Sequence, residues 1–296
     1  MPYAYTGRIL RVDLTSREIT VEEKDEKFYR TYLGGGALGG YYLMKEMPPK
    51  VDSYDPRNII VFAAGVTTGV PAPGLPRFGV VTKSPLTGAI GDSQAAGHFG
   101  PEMKFAGYDA IVVTGKADSL VYLWVTNDTV EIREASMVKG FSGAETTEAI
   151  RSELGDDKIK VASIGLAGEN LIRYANILNA TSATGRLGMG AVMGSKNLKA
   201  IAVRGTEKLE LYDKATIQER AKWFTQNFKD NPDNYGLSTL GTEYVTSIVH
   251  ESGQLPTRNF QEGIFEKAEA LDGEEFHRYA TGKKGCCFAC PVSCRK

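Results

Sequence analysis

All four cysteines of the 296-residue chain fall between Cys286 and Cys294. Cys287, Cys290 and Cys294 are spaced C-x-x-C-x-x-x-C, which brings three thiolates to one side of a short turn, close enough to hold one metal centre. A fourth ligand is then expected beyond residue 296. Structural zinc normally recruits a second C-x-x-C or H-x-x-x-H pair, and His98, His250 and His277 lack such spacing. Short-spaced cysteines, a proline within the run and one remote cysteine fit iron–sulfur ligation better. A disulfide framework is disfavoured: the first 285 residues hold no cysteine, no secretory leader opens the chain, and its length suits a reducing cytoplasm. Cys286, pointing away from Cys287, reads as a small buried hydrophobe. Lys283, Lys284, Arg295 and Lys296 flank the run, either favouring thiolates and an anionic cluster or serving as ordinary solvated charges.

The 33 glycines gather at 34–40, 65–100 and 185–194, a clustering that suggests backbone lying close to a ligand rather than a flexible linker. Gly34-x-Gly36-x-x-Gly39 matches the dinucleotide fingerprint by letter but follows a helix-like segment instead of a strand. The run from Gly185 to Lys196 lacks the spacing of a phosphate-binding P-loop. Two readings of it stand: an anion site of free backbone N–H groups with Arg186 as positive partner, or a glycine-rich turn packed on a helix.

These residues must be positioned by a mixed set of elements. Gly7–Leu14 and Glu18–Glu22 alternate as an opening hairpin with one buried face. Helices are expected at 27–33 and 38–45, on either side of the Gly34-Gly35-Gly36 break. Strands are expected at 58–63, 78–82, 110–114, 120–125, 129–133, 160–164 and 199–203, with a helix at 144–153. Strand pairs joined by tight turns outnumber strand–helix–strand units, so the fold class is α+β, mostly antiparallel. Helical stretches at 214–228, 242–252 and 274–279 mark a second domain, which places the division at 1–208 and 209–296. With 35 basic and 36 acidic residues the net charge of −1 argues against a nucleic-acid or anionic-membrane binder. No apolar run reaches membrane-spanning length.

Five further segments carry a resemblance: Thr6–Leu14, Val81–Gly88, Lys104–Asp109 with Ala110–Val113 after it, Ser163–Asn170 and Gly190–Ile201. Together with the closing cysteine run they make the chain similar, over essentially its whole length, to the aldehyde ferredoxin oxidoreductase family of tungsten–pterin enzymes. The resemblance implies a two-sheet first domain that cradles a bis-pterin tungsten cofactor, followed by the start of a helical region ending in three ligands of a [4Fe-4S] cluster. Family contacts carry over to Arg77, between cofactor and cluster, to Gln94, Ala95, Ala96 and Gly97, and to Ser182, Ala183, Gly185 and Arg186. Magnesium joining the two pterin phosphates would be held by the backbone carbonyls of Gln94 and Ala183. Gln94 and Ser182 stand where an asparagine and an arginine are common. Carbonyl ligation tolerates the first change, whereas a serine is too short to replace the arginine's contact.

The implied reaction oxidises an aldehyde to a carboxylic acid with oxygen from water, passing electrons singly to a ferredoxin. No catalytic residue is assigned, since the family's acid–base groups would lie beyond Lys296; His98 reads as structural or cofactor-contacting. The alternatives are a molybdenum relative, an aromatic-ring reductase subunit, or a cofactor-binding half that needs a complementary chain. A homodimer and a cytoplasmic location complete the expectations.

Overall fold

A computed structural model describes residues 3–280, 282 and 285–295. The flanking Lys283, Lys284 and Lys296 lie outside the described residues. The chain divides into two compact units, one made of residues up to Val70 with Leu75–Tyr212, the other of Pro71–Gly74 and residues from Asp213 onward.

The first unit holds two six-stranded sheets. In chain order the strands are β1 (Arg8–Asp13), β2 (Glu18–Glu23), β3 (Ile60–Ala64), β4 (Phe78–Lys83), β5 (Ile90–Ala95), β6 (Ala110–Thr114), β7 (Val121–Thr126), β8 (Val130–Glu134), β9 (Lys160–Ser163), β10 (Ile177–Asn179), β11 (Ser182–Thr184) and β12 (Leu198–Arg204). The first sheet runs β2-β1-β6-β3-β4-β5 and the second β11-β10-β9-β12-β7-β8. Pairing is antiparallel except at β1/β6 and β7/β12, so the α+β reading with mostly antiparallel sheets holds.

The two sheets share one core. Leu10, Phe62, Val80 and Ile111 of the first meet Leu123, Ala162, Ile177 and Ile201 of the second. The outer face of the first sheet is covered by α1 (Glu26–Tyr32) and α2 (Gly35–Glu46), through Tyr29, Leu38 and Tyr42 against Ile9, Val61 and Val112. The outer face of the second is covered by α4 (Gly143–Leu154), with Ile150 against Tyr122, Val161 and Ala202. Burial on both faces explains why β3 and β6 are continuous apolar runs rather than alternating ones. Three shorter helices, α3 (Phe99–Phe105), α5 (Leu166–Glu169) and α6 (Met189–Ser195), complete the unit.

Two local expectations need correction. The opening hairpin is not buried on one face: β1 lies between β2 and β6 and sends Ile9 into one core and Leu10 into another, while β2 is a largely exposed edge. The glycine break does not interrupt the helices until Leu38 either, because α2 begins at Gly35.

In the second unit lie α7 (Lys214–Asn227), α8 (Pro232–Leu240), α9 (Val245–Glu251) and α10 (Gly273–Tyr279). The side chains of Asp213, Asn231 and Asp272 accept N–H bonds from Thr216, Asn234 and Glu275, capping α7, α8 and α10. No helix among the described residues is long and apolar enough to cross a membrane.

Candidate cofactor site

The first sheet ends in edge strand β5 and the second in edge strand β11, and these two edges lie against each other. Each edge strand keeps one row of backbone N–H and C=O groups outside its own ladder. Gln94 and Ala95 are the last residues of β5, and Ser182 and Ala183 open β11. The junction is fixed by a bond from the Arg186 N–H to Ser93 Oγ (3.2 Å) and by Gly97. Gly97 adopts φ +102°, and a Cβ there would stand 2.4 Å from Asn179 Oδ1 and 3.1 Å from Ser182 Oγ. Only glycine fits that crossing.

Arg77 precedes β4, whose first residue, Phe78, pairs with Ala64 on one side and Ala95 on the other. Arg77 therefore stands one step beyond that row, level with Gly65 and Ala96. Its carbonyl accepts from Thr68 Oγ1 at 2.5 Å, which turns the entering chain into β4. Gln94, Gly185, Arg77 and Arg186 are exposed, Ala96 and Ala183 half-buried, and Ala95, Gly97 and Ser182 buried. Neither the Arg77 nor the Arg186 guanidinium has an ion pair or hydrogen bond among the described residues. The first unit thus gathers Arg77, Gln94–Gly97 and Ser182–Arg186 at one end of the sheet pair.

Glycine use divides into two kinds. A Cβ at Gly194 would lie 1.9 Å from the Gly168 carbonyl, one at Gly190 2.3 Å from Asn176 O, and one at Gly188 2.0 Å from Arg173 O. These three let α5 and its following loop press onto α6, so at these positions the packing reading of the 185–194 run prevails. Gly36 and Gly39 likewise seat α2 against Asp92 and Val81. Gly185 differs. It has no positive φ and nothing within 4 Å of its absent Cβ. Neither conformation nor internal packing requires a glycine there, and its backbone lies open for a ligand. Two unpaired guanidinium groups beside open backbone and two strand edges suit an anionic, phosphate-bearing cofactor.

Other motif residues build the frame. Asp109, buried, accepts from the Thr6 and Gly7 N–H groups and from Lys104 Nζ at 2.7 Å, tying the chain before β1 to α3 and β6. Lys199 bonds Glu169 and the Phe141 carbonyl, and Glu169 also accepts the Gly140 N–H. Lys196, fully buried, donates 3.0 Å bonds to the carbonyls of Pro56 and Gly115, and burial pushes its ammonium down to about 8. Sequence reasoning saw these lysines only as parts of motifs. Their signal was a lysine embedded in apolar sequence, where a buried charge needs a partner.

The cysteine run belongs to the second unit. Its ends are joined by a bridge between Gly285 and Arg295, the Cys290 N–H bonds the Cys287 carbonyl at 3.2 Å, and Ala289 and Ser293 take left-handed φ. No disulfide links the four cysteines among the described residues. Cys287, Cys290 and Cys294 are half-buried, and Arg295 Nη2 donates to Cys287 Sγ at 3.5 Å. Cys286 is exposed, not buried as a small hydrophobe. Among the described residues no three His, Cys, Asp or Glu side chains are grouped tightly enough to hold a single metal ion. The donor set, three partly covered thiols with a guanidinium on one, is chemically that of an iron–sulfur loop.

Known proteins resemble the chain over nearly its whole length. Residues 9–205 match the family model "Aldehyde ferredoxin oxidoreductase, N-terminal domain", and residues 219–296 match that of its domains 2 and 3. The chain is 46% identical over 294 residues to the tungsten-containing aldehyde ferredoxin oxidoreductase of Pyrococcus abyssi, covering 99% of this chain and 48% of that protein. It is 35% identical over 311 aligned positions to the aliphatic sulfonate oxidoreductase, WOR-like subunit, of Pyrococcus furiosus, covering 99% of this chain and 49% of that one. The active-site complex BamBC of benzoyl coenzyme A reductase superposes with a TM-score of 0.86 at 37% identity, over 99% of this chain and 47% of that chain. The chain spans about half the length of the curated relatives it matches.

Proposed function

The chain belongs to the aldehyde ferredoxin oxidoreductase family, and from that premise we propose that it forms the cofactor-cradling part of a tungsten–pterin oxidoreductase that converts aldehydes to carboxylic acids. The observation that carries this reading is the meeting of edge strands β5 and β11 around the open backbone of Gly185. Arg77 and Arg186 would bind the phosphate-bearing pterins, with backbone groups of Gln94–Gly97 and Ser182–Gly185 lining them. Carbonyl oxygens of Gln94 and Ala183, one from each edge strand, would hold magnesium. Residues 1–208 form the pterin domain in this reading, and 209–296 begin the helical part that contributes cluster ligands. Cys287, Cys290 and Cys294 would hold three corners of a [4Fe-4S] cluster, with Arg295 favouring the thiolate at Cys287. When bound, the tungsten–pterin and the cluster supply the two-electron oxidation and single-electron relay to ferredoxin or a similar acceptor. A reducing cytoplasm would keep all four thiols available.

A second reaction on the same frame is supported by the likeness to benzoyl coenzyme A reductase, which would make the chain part of an aromatic-ring reductase. Anaerobic metal analysis of the native protein tests the cofactor assignment. About one tungsten or molybdenum and about four irons are expected; zinc without iron overturns it. Gly185→Val should lower tungsten and pterin content while leaving the melting temperature unchanged, since no protein atom opposes the new side chain's first carbon. Unchanged cofactor content would remove Gly185 from the site. Turnover of aldehydes, and not of aromatic thioesters, separates the two reactions.

A further inference from the structure

The second sheet contains a gap that the cofactor reading does not use. β10 pairs with β9 only through Leu178 and Ser163, so beyond that point the strands part. A cavity of about 200 Å³ opens where Asn179 and Ala180 separate from Lys160 and Val161, with Phe99 and the α4 residue Arg151 closing it. Asn179 is 3% exposed and its Nδ2 has no hydrogen-bond partner. A buried amide donor without an acceptor is destabilising unless something supplies one.

The charges of the wall are unequal. Arg204 bonds both Glu102 (3.1 Å) and Asp156 (2.8 Å), the two carboxylates nearest Lys160, and so occupies them. Lys160 and Arg151 are then left without an ion pair among the described residues. Arg151 spends its Nε on the Ile159 carbonyl, which fixes the guanidinium against the cavity and leaves its other N–H groups free of side-chain partners. Burial lowers the Lys160 ammonium, while Glu102 and Asp156 act to raise it and Arg151 and Arg204 to lower it. Three cations face two carboxylates, an excess of one.

The rest of the wall is mostly apolar, from Phe99, Val161 and Ala180, with His98 and Thr147 as its further polar members. We propose that this cavity binds a small monocarboxylate, its head accepting from Lys160, Arg151 and Asn179 Nδ2 and its short hydrocarbon end lying against Phe99 and Val161. A single negative charge matches the single excess positive one. An inorganic tetrahedral oxyanion would leave the apolar wall without a partner and would bring a second charge. The assignment stands on the cavity and not on the proposed oxidation, although under that reading a carboxylate is also the class of compound released.

Calorimetric titration of the purified protein with propionate, benzoate and inorganic phosphate tests it by binding alone, so a failed oxidation reading and a failed cavity reading remain distinguishable. Saturable propionate or benzoate binding is expected, weakened at least tenfold in Lys160→Met and abolished in the isosteric Asn179→Asp, which sets a carboxylate against the ligand's own. Both variants are checked for native melting, and either one folded suffices. Absence of saturable carboxylate binding overturns the proposal, as does equal affinity in a folded variant. Phosphate binding as tightly as propionate overturns the carboxylate assignment in favour of a general oxyanion site.

Discussion

Asp109 gathers donors from two distant parts of the chain on one buried carboxylate: Thr6 and Gly7 from before β1, and Lys104 from α3. Its pair with Lys104 is fully desolvated, with side-chain exposures of 2% and 0%. Asp109→Ala would strand the ammonium and two backbone N–H groups, and a loss of about 3–5 kcal/mol is expected in urea unfolding. A loss below about 1 kcal/mol would mean that water replaces the carboxylate. Lys196 makes the opposite prediction because it has no carboxylate partner. Its folded-state value is about 8, whereas an unfolded lysine holds its proton to about 10.4. Between these values the unfolded chain binds more protons, so stability rises with pH through that window, by on the order of 3 kcal/mol. Subtracting the pH profile of Lys196→Met from wild type should reveal the rise, and a flat difference would refute it. Tyr5 and Tyr122, pushed up to about 12 chiefly by burial, oppose it only above pH 10, where the folded state retains their protons.

At the level of elements, strong periodicity was legible and short geometry was not. The apolar runs of β3, β6, β7 and β12 and the alternation of β8 stand out in the sequence. β5 did not, because Gly91, Asp92 and Gln94 dilute its strand character; its glycine is required where Leu187 and Met189 press on it. β10 and β11 have three residues each, too few for a period to show. α8 did carry a readable signal, Asn231 as cap with Pro232 at the first helical position. Thus the strands that frame the candidate site were the least visible ones, since edge position and glycine crossings suppress the usual pattern. The arginines and glycines of the first unit's site were visible by type, and their convergence came from register. The α5–α6 contact gives a test at this scale. Gly194→Ala would force a methyl to 1.9 Å from the Gly168 carbonyl, and a destabilisation of about 1–3 kcal/mol or more is expected by thermal unfolding. A neutral result would show that α5 moves away without cost.

The two units differ in how much apolar surface each buries within itself. The first holds three buried clusters, whereas from Asp213 onward the buried hydrophobic residues among those described are Phe228, Ala268 and Val292. α7 has no buried residue, and Trp223 on it is 60% exposed. Local stability follows buried apolar contact. Brief trypsin treatment should therefore cut within α7, at Arg220 or Lys222, well before any strand of the first unit, leaving a resistant fragment that ends at one of those residues. Protection of α7 amides equal to those of β3 and β6 in hydrogen exchange would contradict this.

The parallel pairing of β1 with β6 also has a consequence in time. Ile9 is registered with Ala110, about 100 residues later, so at roughly 5–20 residues per second the first strand waits some 5–20 s on the ribosome for its neighbour. The second sheet is completed later still, because β7 and β9 both pair with β12, which ends at Arg204. Since the candidate cradle is made from one edge of each sheet, it is among the last features of the first unit to exist. Whatever fills it can engage both edges only after the chain through β11 has been synthesised, and so cannot guide the first strands as they emerge.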